Sequence, residues 1–341
     1  MLNLTKLFVG LSIAFHVKGG VKMKKWYVFV AAIFFMFLVT ACGGGTSTSS
    51  SDTSSNSQND NAAITSEISN NSQLFGVNLT DSEDAATTTA SGQSALSVTY
   101  AAEGGTCSTG IWIRGDFKHL GRDINVTIVG DTASVKVTDK VSGNIYVDNT
   151  PDTILNPWHK PFNDTITRYA EFVKVLPGHW NLTKISPVDV DLTDSTKQTV
   201  EIQKVTASVN GATVWEAASS STLYAVPNGL PTFKPNDVVL VEAQVSNSKA
   251  TSACNPPTYV FLHRPGLLCP FGRCRDIMFD DGTNGDKAAG DGVFSRTYSI
   301  GHHIGYHFAA VDVIDAETYM NDTTDYNSTA WGMPYRVVPA Q

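Results

Sequence analysis

Charged residues are scarce in this chain. They make up 16% of its 341 residues, well below the usual quarter of a globular protein, and Thr, Ser, Asn and Gly take their place. This composition is common in exported β proteins and argues against a helical cytosolic enzyme rich in Glu and Lys. Hydrophobic residues still reach 42%, so the chain can bury a core of ordinary size.

Positive charge is the scarcer sign. The formal net charge is −8, and residues 1–41 carry five Lys and no acidic residue, so the rest of the chain has a net charge of −13. Phosphate backbones would repel a protein this acidic. The sequence therefore predicts that nucleic acid is not a partner.

The sequence also lacks the short motifs of several large enzyme classes. It contains no Gly-x-Ser-x-Gly nucleophile elbow, no phosphate-binding loop, no dinucleotide fingerprint and no His-Glu-x-x-His zinc motif. Ser, His and Asp are plentiful, but abundance alone does not make a catalytic triad. No reaction is predicted from motifs.

No hydrophobic run is long enough for a permanent transmembrane helix. The apolar segment of 16 residues from Trp26 to Ala41 would span roughly 24 Å as a helix, short of the ~30 Å hydrocarbon core. Met23-Lys-Lys precedes it and small residues end it, which is the pattern of a signal peptide. We expect residues 1–41 to be the signal peptide, with Met23 as the true start. Two short membrane passes are the alternative if Met1 is the start.

The end of this apolar segment resembles the bacterial lipobox. It reads Val39-Thr-Ala-Cys42, and in lipoproteins the cysteine at this position receives diacylglycerol before cleavage. The resemblance implies that Cys42 is lipidated and that the folded part lies outside the cytoplasm. By the same resemblance, Gly43 in place of Asp favours sorting to an outer membrane or the cell surface.

A polar linker follows the predicted anchor. Residues 43–61 contain no apolar side chain, and such a segment cannot bury a core, so we expect it to be disordered. Residues 62–93 remain rich in Ser, Thr and Ala and are predicted to be linker or a weakly docked lead-in. The lipid-anchored linker is therefore placed at 42–93.

Short alternating runs predict a β-rich sheet domain over 94–203. Ile124–Ile128 and Ala133–Val137 alternate apolar and polar residues, and Pro177-Gly178 separates two further strands in a hairpin. No segment here keeps a 3.6-residue period over three turns. The hairpin loosely resembles the last hairpin of cystatin-like sheets, which leaves an α+β arrangement as the alternative.

The second domain, 204–341, is predicted to be an Ig-like β-sandwich, so the fold class is mainly β. Asp237–Val245 places Val239, Val241, Ala243 and Val245 on one face. The segment from Met278 to Ser295, with its Asp-Asp-Gly, Gly-Asp and Gly-Asp-Gly elements, resembles the choice-of-anchor X domains of bacterial surface proteins. That resemblance implies an exported Ig-like module but no reaction.

One loop within this segment is a candidate calcium site. It gathers oxygen-bearing side chains at Asp280, Asp281, Asn284, Asp286 and Asp291. Calcium takes six to eight oxygen ligands, and the glycines between them would let the chain fold its carbonyls inward. The alternative is a pair of tight turns in which Asp and Asn accept hydrogen bonds from their own backbone.

Four further cysteines form an even set suited to an oxidising compartment. Cys269 and Cys274 bracket a turn-like Pro-Phe-Gly-Arg spacer, so we favour that pair, which leaves Cys107 with Cys254 as a link between the two domains. Four buried free thiols are the alternative.

Two aromatic clusters lie near turns, at Trp158–Phe162 and Trp331–Tyr335. Exposed aromatic rings could stack on sugars, whereas buried ones would close the ends of a small core. Small β-sandwiches more often use such rings to close the ends of the core, so we favour that role.

These observations predict a lipid-anchored cell-envelope protein that acts as a structural or binding module without catalytic activity. Its partners would be the membrane, through the lipid anchor, and an envelope protein or glycan. One alternative is a calcium-dependent binder of glycan or protein. Another is a hydrolase whose site lies in 94–203 and follows no known motif.

Overall fold

A computed structural model of the chain describes residues 52–77, 110–150, 152, 154–249, 251–266 and 273–340. The predicted signal peptide, Cys42, Cys107 and Cys269 lie outside the described residues. Within them, antiparallel strands predominate, which confirms the mainly β fold class. The described helices include none that is long and apolar enough to cross a bilayer.

Two helices precede a series of strands. Helix α1 spans Asp52–Asn70 and α2 spans Ser72–Phe75. The strands are β1 (Ile111–Val129), β2 (Thr132–Asp148), β3 (Trp158–Leu176), β4 (His179–Ile185), β5 (Val188–Leu192), β6 (Val200–Val209), β7 (Ala212–Ala217), β8 (Tyr224–Ala225), β9 (Thr232–Phe233), β10 (Val238–Asn247), β11 (Thr258–Pro265), β12 (Arg273–Ile277), β13 (Val293–Ser299), β14 (Gly305–Asp315) and β15 (Ser328–Val337).

The C-terminal strands form a β-sandwich. A four-stranded sheet of order β13-β10-β6-β7 faces the strands β15-β14-β11-β12 of a larger sheet. Val239, Val241, Ala243 and Val245 of β10 are all buried in the core between them, as the alternation of β10 predicts. The sandwich expected for this part of the chain is confirmed.

The N-terminal strands extend that larger sheet. Strands β1 to β4 form an antiparallel meander, and β5 lies between the meander and the sandwich. Val190 of β5 faces Ile166 of β3 on one side and Ala330 of β15 on the other. The meander and the sandwich therefore share one sheet, and residues 51–341 form one compact unit. The boundary predicted between 203 and 204 falls within β6, and the division into two domains stays a prediction.

The N-terminal segment is helical where a disordered linker is predicted. Of the predicted linker at 42–93 the structure describes residues 52–77, and within them Ile64, Ile68, Leu74 and Phe75 are all fully buried against the meander. Ile64 and Ile68 are four residues apart and therefore lie on one helix face. This narrow apolar stripe is enough to dock a helix whose other residues are polar.

Two polar contacts hold helix α1 at Asp60. Asp60 accepts a hydrogen bond from the Lys174 ammonium at 2.8 Å and another from the Trp180 indole at 3.1 Å. The hydrogen bond from Lys174 lowers the pKa of Asp60, although burial opposes the shift. The helix is therefore held at the level of β3 and β4 where their hairpin turns.

Two arginines hold the end of α2. Arg122 donates to the carbonyl of Phe75 at 2.6 Å, and Arg168 donates to the carbonyl of Gly76. Both carbonyls lie at a helix C-terminus, where backbone acceptors lack intrahelical partners and cations are favoured. The buried carboxylate of Asp139 accepts from Arg122 at 2.7 Å and lies 3.6 Å from Arg168. The helical segment is thus tied to β1, β2 and β3.

A buried ion cluster joins the meander to the sandwich. Arg114 of β1 makes a two-pronged contact with Asp312 of β14 at 2.7 and 3.0 Å, and His263 of β11 lies 3.0 Å from the same carboxylate. All three side chains are excluded from solvent. Burial alone would raise the pKa of Asp312, but the Arg114 charge and the His263 hydrogen bond outweigh it and hold this pKa far below its usual range.

We expect Asp312→Asn to lower the free energy of unfolding by about 3–5 kcal/mol, because it leaves the Arg114 charge buried without its counter-ion. Asp325→Asn is the matched control. It breaks the exposed ion pair with Lys197 and should cost less than about 1 kcal/mol. Urea denaturation of the wild type and both variants measures the difference, and equal small losses would contradict a dependence on the cluster.

The same pair of proteins tests the sign of the pH dependence. A carboxyl whose pKa is lowered by folding contributes stability above its unfolded pKa of about 3.9 and loses it as the pH falls toward the folded value. The stability gap between wild type and Asp312→Asn should therefore shrink as the pH falls below about 4.

Candidate functional site

The acidic loop occupies residues 280–292, between β12 and β13. It brings together one carboxylate oxygen each from Asp280, Asp286 and Asp291, all within 4.8 Å of one another. Asp281, the fourth carboxylate among the predicted ligands, is not part of this group. The structure thus assembles three of the four carboxylates proposed for calcium.

The same carboxylates also accept backbone hydrogen bonds. Asp280 accepts from the amides of Gly290, Asp291 and Gly292 at 2.6, 3.1 and 3.0 Å. Asp286 accepts from the amide of Gly282 at 2.6 Å. These glycines have positive φ, which lets the chain turn tightly enough to aim several amides at one side chain. The loop is therefore a set of tight turns organised around Asp280.

A shallow groove lies on strands β1–β3 of the meander. These strands are at the opposite end of the large sheet from β12, the strand that precedes the acidic loop. We call this depression the Phe162 groove, and its volume is about 500 Å³. Its lining combines carboxylate, amide, hydroxyl, ammonium and aromatic groups, from Asp116, Phe117, Lys118, Ser142, Gly143, Asn144, Pro161, Phe162 and Asn163.

Gly143 shapes the floor of this groove. A Cβ at this position would lie 2.6 Å from the Phe162 ring and 2.7 Å from the carbonyl of Gly115, so only glycine lets the ring and the neighbouring strand approach so closely. Phe162 is buried and contacts the edge of Phe117 at a centroid distance of 5.7 Å. The floor is therefore apolar and well packed, while the walls are polar.

Asp116 stands out on the groove wall. Its φ is +55°, a conformation that costs a side chain other than glycine about 1–3 kcal/mol, and the β1–β2 register shifts between Gly115 and Lys118. Bulges of this kind commonly re-aim a side chain near a functional site. The bulge exposes Asp116 beside the groove.

Two neighbours on β2 hold the Asp116 carboxylate. The Tyr146 hydroxyl and the Asn144 amide, the latter at 3.0 Å, both donate to its Oδ2 atom. The Tyr146 bond, followed by that of Asn144, lowers the pKa of Asp116. Its Oδ1 atom accepts no hydrogen bond from the described residues. Asp116 is thus an exposed anion that is held through one of its two oxygens.

A second depression of about 370 Å³ adjoins the groove across Phe162. Lys160 lies beneath it, with its Nζ donating to the carbonyl and hydroxyl of Thr324 at 2.8 and 2.6 Å. Burial lowers the pKa of Lys160 to about 8, although Asp325 and other acids oppose the shift. The ammonium also lies 5.0 Å from the Trp158 ring. The depression therefore pairs a buried cation with exposed acidic side chains.

Most aromatic side chains of the two predicted clusters are buried. Trp331 and Tyr335 are buried in the sandwich core, and Phe162 is buried beneath the groove. Only Trp158 of the two predicted clusters remains half-buried near the second depression. Most of these rings therefore fill the core rather than present a face to a ligand.

The two described cysteines, Cys254 and Cys274, are buried, and each is disulfide-bonded. Cys107 and Cys269 lie outside the described residues. The predicted pairs therefore remain predictions.

Sequence reasoning missed the groove. Its polar residues come from three strands and lie together only because those strands pair, so no spacing along the chain predicts the groove. One local signal was available, because Gly115-Asp116 interrupts the extended run after Arg114, and a glycine within a strand often marks a bulge.

Comparison with family models, curated proteins and solved structures finds no match to this chain. Function therefore has to follow from the chemistry of the site itself.

Proposed function

We propose that this protein is a lipid-anchored module of the cell envelope that binds its ligand in the Phe162 groove without catalysis. The observation that carries the proposal is the fixed carboxylate of Asp116, held by Tyr146 and Asn144 at a bulge. A binding group that is already oriented loses little entropy when the ligand arrives. Strained backbone at an exposed polar residue also supports a role in binding rather than in packing.

Attachment to the membrane is the second part of the proposal. It rests on the lipobox-like segment that ends at Cys42 and on the short apolar run before it. The strong negative charge of the remaining chain agrees with an exported protein that does not bind nucleic acid. An outer membrane or the cell surface is the proposed destination because residue 43 is Gly.

The anchor predicts a defined chemical modification. Mass spectrometry of the N-terminal peptide from membrane-extracted protein should find diacylglycerol on Cys42, and Cys42→Ser should move the protein to the soluble fraction. Ser47→Ala, five residues downstream, should leave it in the membrane. A mature chain that begins before Cys42, with an unmodified thiol, would refute the anchor.

The groove favours a glycan as the ligand. It is shallow and open, and carboxylate, amide and hydroxyl groups border an apolar floor. Asp116 offers an acceptor and the amides of Asn144 and Asn163 offer both donors and acceptors, which suits the adjacent hydroxyls of a sugar ring. A protein ligand of comparable affinity would normally require a larger and more apolar contact surface.

We expect Asp116→Gly to weaken binding of envelope polysaccharide at least about tenfold, since a hydrogen bond to a charged group contributes about 1.5–3 kcal/mol. Glycine accepts the positive φ at this position without strain, so the fold should be retained. Asp123→Asn on the same strand, outside the groove, should bind as the wild type does. Isothermal titration with purified polysaccharide measures both variants, and equal affinities would exclude the groove.

Calcium-dependent binding is a second candidate function, favoured by the three converging carboxylates of the acidic loop. Each carboxylate oxygen has two lone pairs, so an oxygen that accepts an amide hydrogen bond can still ligate a cation. Asp280, Asp286 and Asp291 would supply three ligands, and loop carbonyls and water the others.

Calcium binding can be tested with two closely matched variants. We expect the wild type to bind calcium with a dissociation constant of about 10⁻⁴–10⁻³ M, the range of extracellular modules. Asp291→Asn should abolish this binding, because it removes one of the three converging charges. Asp281→Asn should not, since Asp281 lies outside the group. Both Asp281 and Asp291 accept an amide hydrogen bond from the residue two positions on, which Asn can preserve. No heat and no thermal shift at millimolar calcium would end this proposal.

The hydrolase alternative remains a prediction. Among the described carboxyls, Asp189 has a pKa raised by burial and by Asp191, to about 6, which is the direction that general acid catalysis requires. Ser220 donates to it at 2.7 Å, however, and Asp189 lines neither the Phe162 groove nor the second depression. It therefore does not favour hydrolysis over binding.

A further inference from the structure

We propose that the tips of two hairpins in the meander rest on the membrane that holds the lipid anchor. The surface in question, the tip patch, consists of Val129, Val175, Leu176 and Pro177. The inference rests on the anchor at Cys42 proposed above and adds a second, direct contact between the folded part and lipid.

The tip patch is exposed and lies on two adjoining turns. Val129 is 75% exposed at the end of β1, and Val175 and Leu176 are 50% and 62% exposed at the end of β3. The two turns adjoin, because the amide of Lys174 donates to the carbonyl of Asp131 at 2.8 Å. Apolar side chains are thus concentrated in two neighbouring turns, where polar residues would be usual.

The turns do not need these side chains for their own folding. Gly130 and Gly178 have φ of 59° and 73° and supply the positive φ that each tight turn requires. Polar residues at Val129 and Leu176 would serve the turns equally well. Several apolar side chains grouped on a surface commonly mark a site of contact with a partner or a membrane.

The course of α1 identifies the membrane as the partner. Asp60 of α1 lies beside Lys174 and Trp180, near the tips, whereas Phe75 at the end of α2 lies beside Arg122, deeper in the sheet. Followed backward from Phe75 to Asp60, the helical segment therefore runs toward the tips. The eight residues from Asp60 back to Asp52 extend it by about 12 Å in that direction.

The remaining chain to the anchor is short. Nine residues, 43–51, separate Cys42 from the first residue of α1. Even fully extended they reach about 32 Å at most. A lipid on Cys42 therefore keeps this end of the fold near the bilayer surface. Apolar hairpin tips at that end could enter the boundary between headgroups and acyl chains, as amphipathic membrane-surface elements do.

The same hairpins provide an internal control at their other end. The loop between β2 and β3 carries Ile154 and Leu155, which are 65% and 52% exposed. Pairing of β2 with β3 runs from Thr132 to Val147, a length of about 50 Å in an extended strand. Leu155 is therefore as exposed as the tip patch but lies at the opposite end of the meander.

The test uses the full lipidated chain in vesicles of phosphatidylethanolamine and phosphatidylglycerol with brominated acyl chains, which quench nearby tryptophan. Leu176→Trp places a probe in the tip patch and Leu155→Trp places one at the other end. After subtraction of the parent protein's emission, we expect roughly twofold quenching of the Leu176→Trp probe, in line with shallow burial at the membrane surface. The Leu155→Trp probe should not be quenched.

The outcomes separate the two proposals. Mass spectrometry of Cys42 in the same preparations shows whether the anchor exists. If Cys42 is lipidated and neither probe is quenched, or only the Leu155→Trp probe is, the anchor stands and the tip patch does not touch lipid. If Cys42 carries no lipid, the anchor fails first and this inference fails with it.

Discussion

The buried contact of Arg114 with Asp312 and His263 is the constraint on which the arrangement of the molecule depends. A buried charge without its counter-ion costs several kcal/mol, so β1 can occupy only the position in which Arg114 reaches β14. Asp116 lies two residues beyond Arg114. The ion cluster therefore also sets where the β1 bulge falls, and with it the wall of the Phe162 groove.

Polar contacts are similarly decisive at the N-terminal helices. Four buried apolar residues hold this segment on the sheet, but apolar burial is non-directional and would tolerate a shifted helix. Two directional contacts allow only one position of the helices on the sheet. One joins Asp60 to Lys174, and the other joins Arg122 to the carbonyl of Phe75. These bonds give the segment its direction along β3, which determines the end of the fold from which the chain continues toward Cys42.

Much of the fold could be predicted from local pattern, and the failures have physical reasons. The hairpin around Pro177-Gly178 and the buried face of β10 follow from alternation, which depends on neighbouring residues alone. Helix α1 was missed because 43–61 has no apolar residue, although Ile64 and Ile68 were spaced for a helix. The shared sheet was missed because it depends on β5, a strand of five residues whose pairing partners lie far away in the chain.

The candidate sites could likewise be predicted only in part from local pattern. The residue types of the acidic loop predict that carboxylates cluster, but Asp281 and Asp291 look alike in sequence, and only the folded turns decide which joins the group. The loop connects strands of the sandwich, whereas the Phe162 groove lies on the meander. A calcium ion held by Asp280, Asp286 and Asp291 would therefore not coordinate a sugar in the groove. Its contribution would be to brace the loop, so calcium should affect the stability of the sandwich rather than the chemistry of ligand recognition.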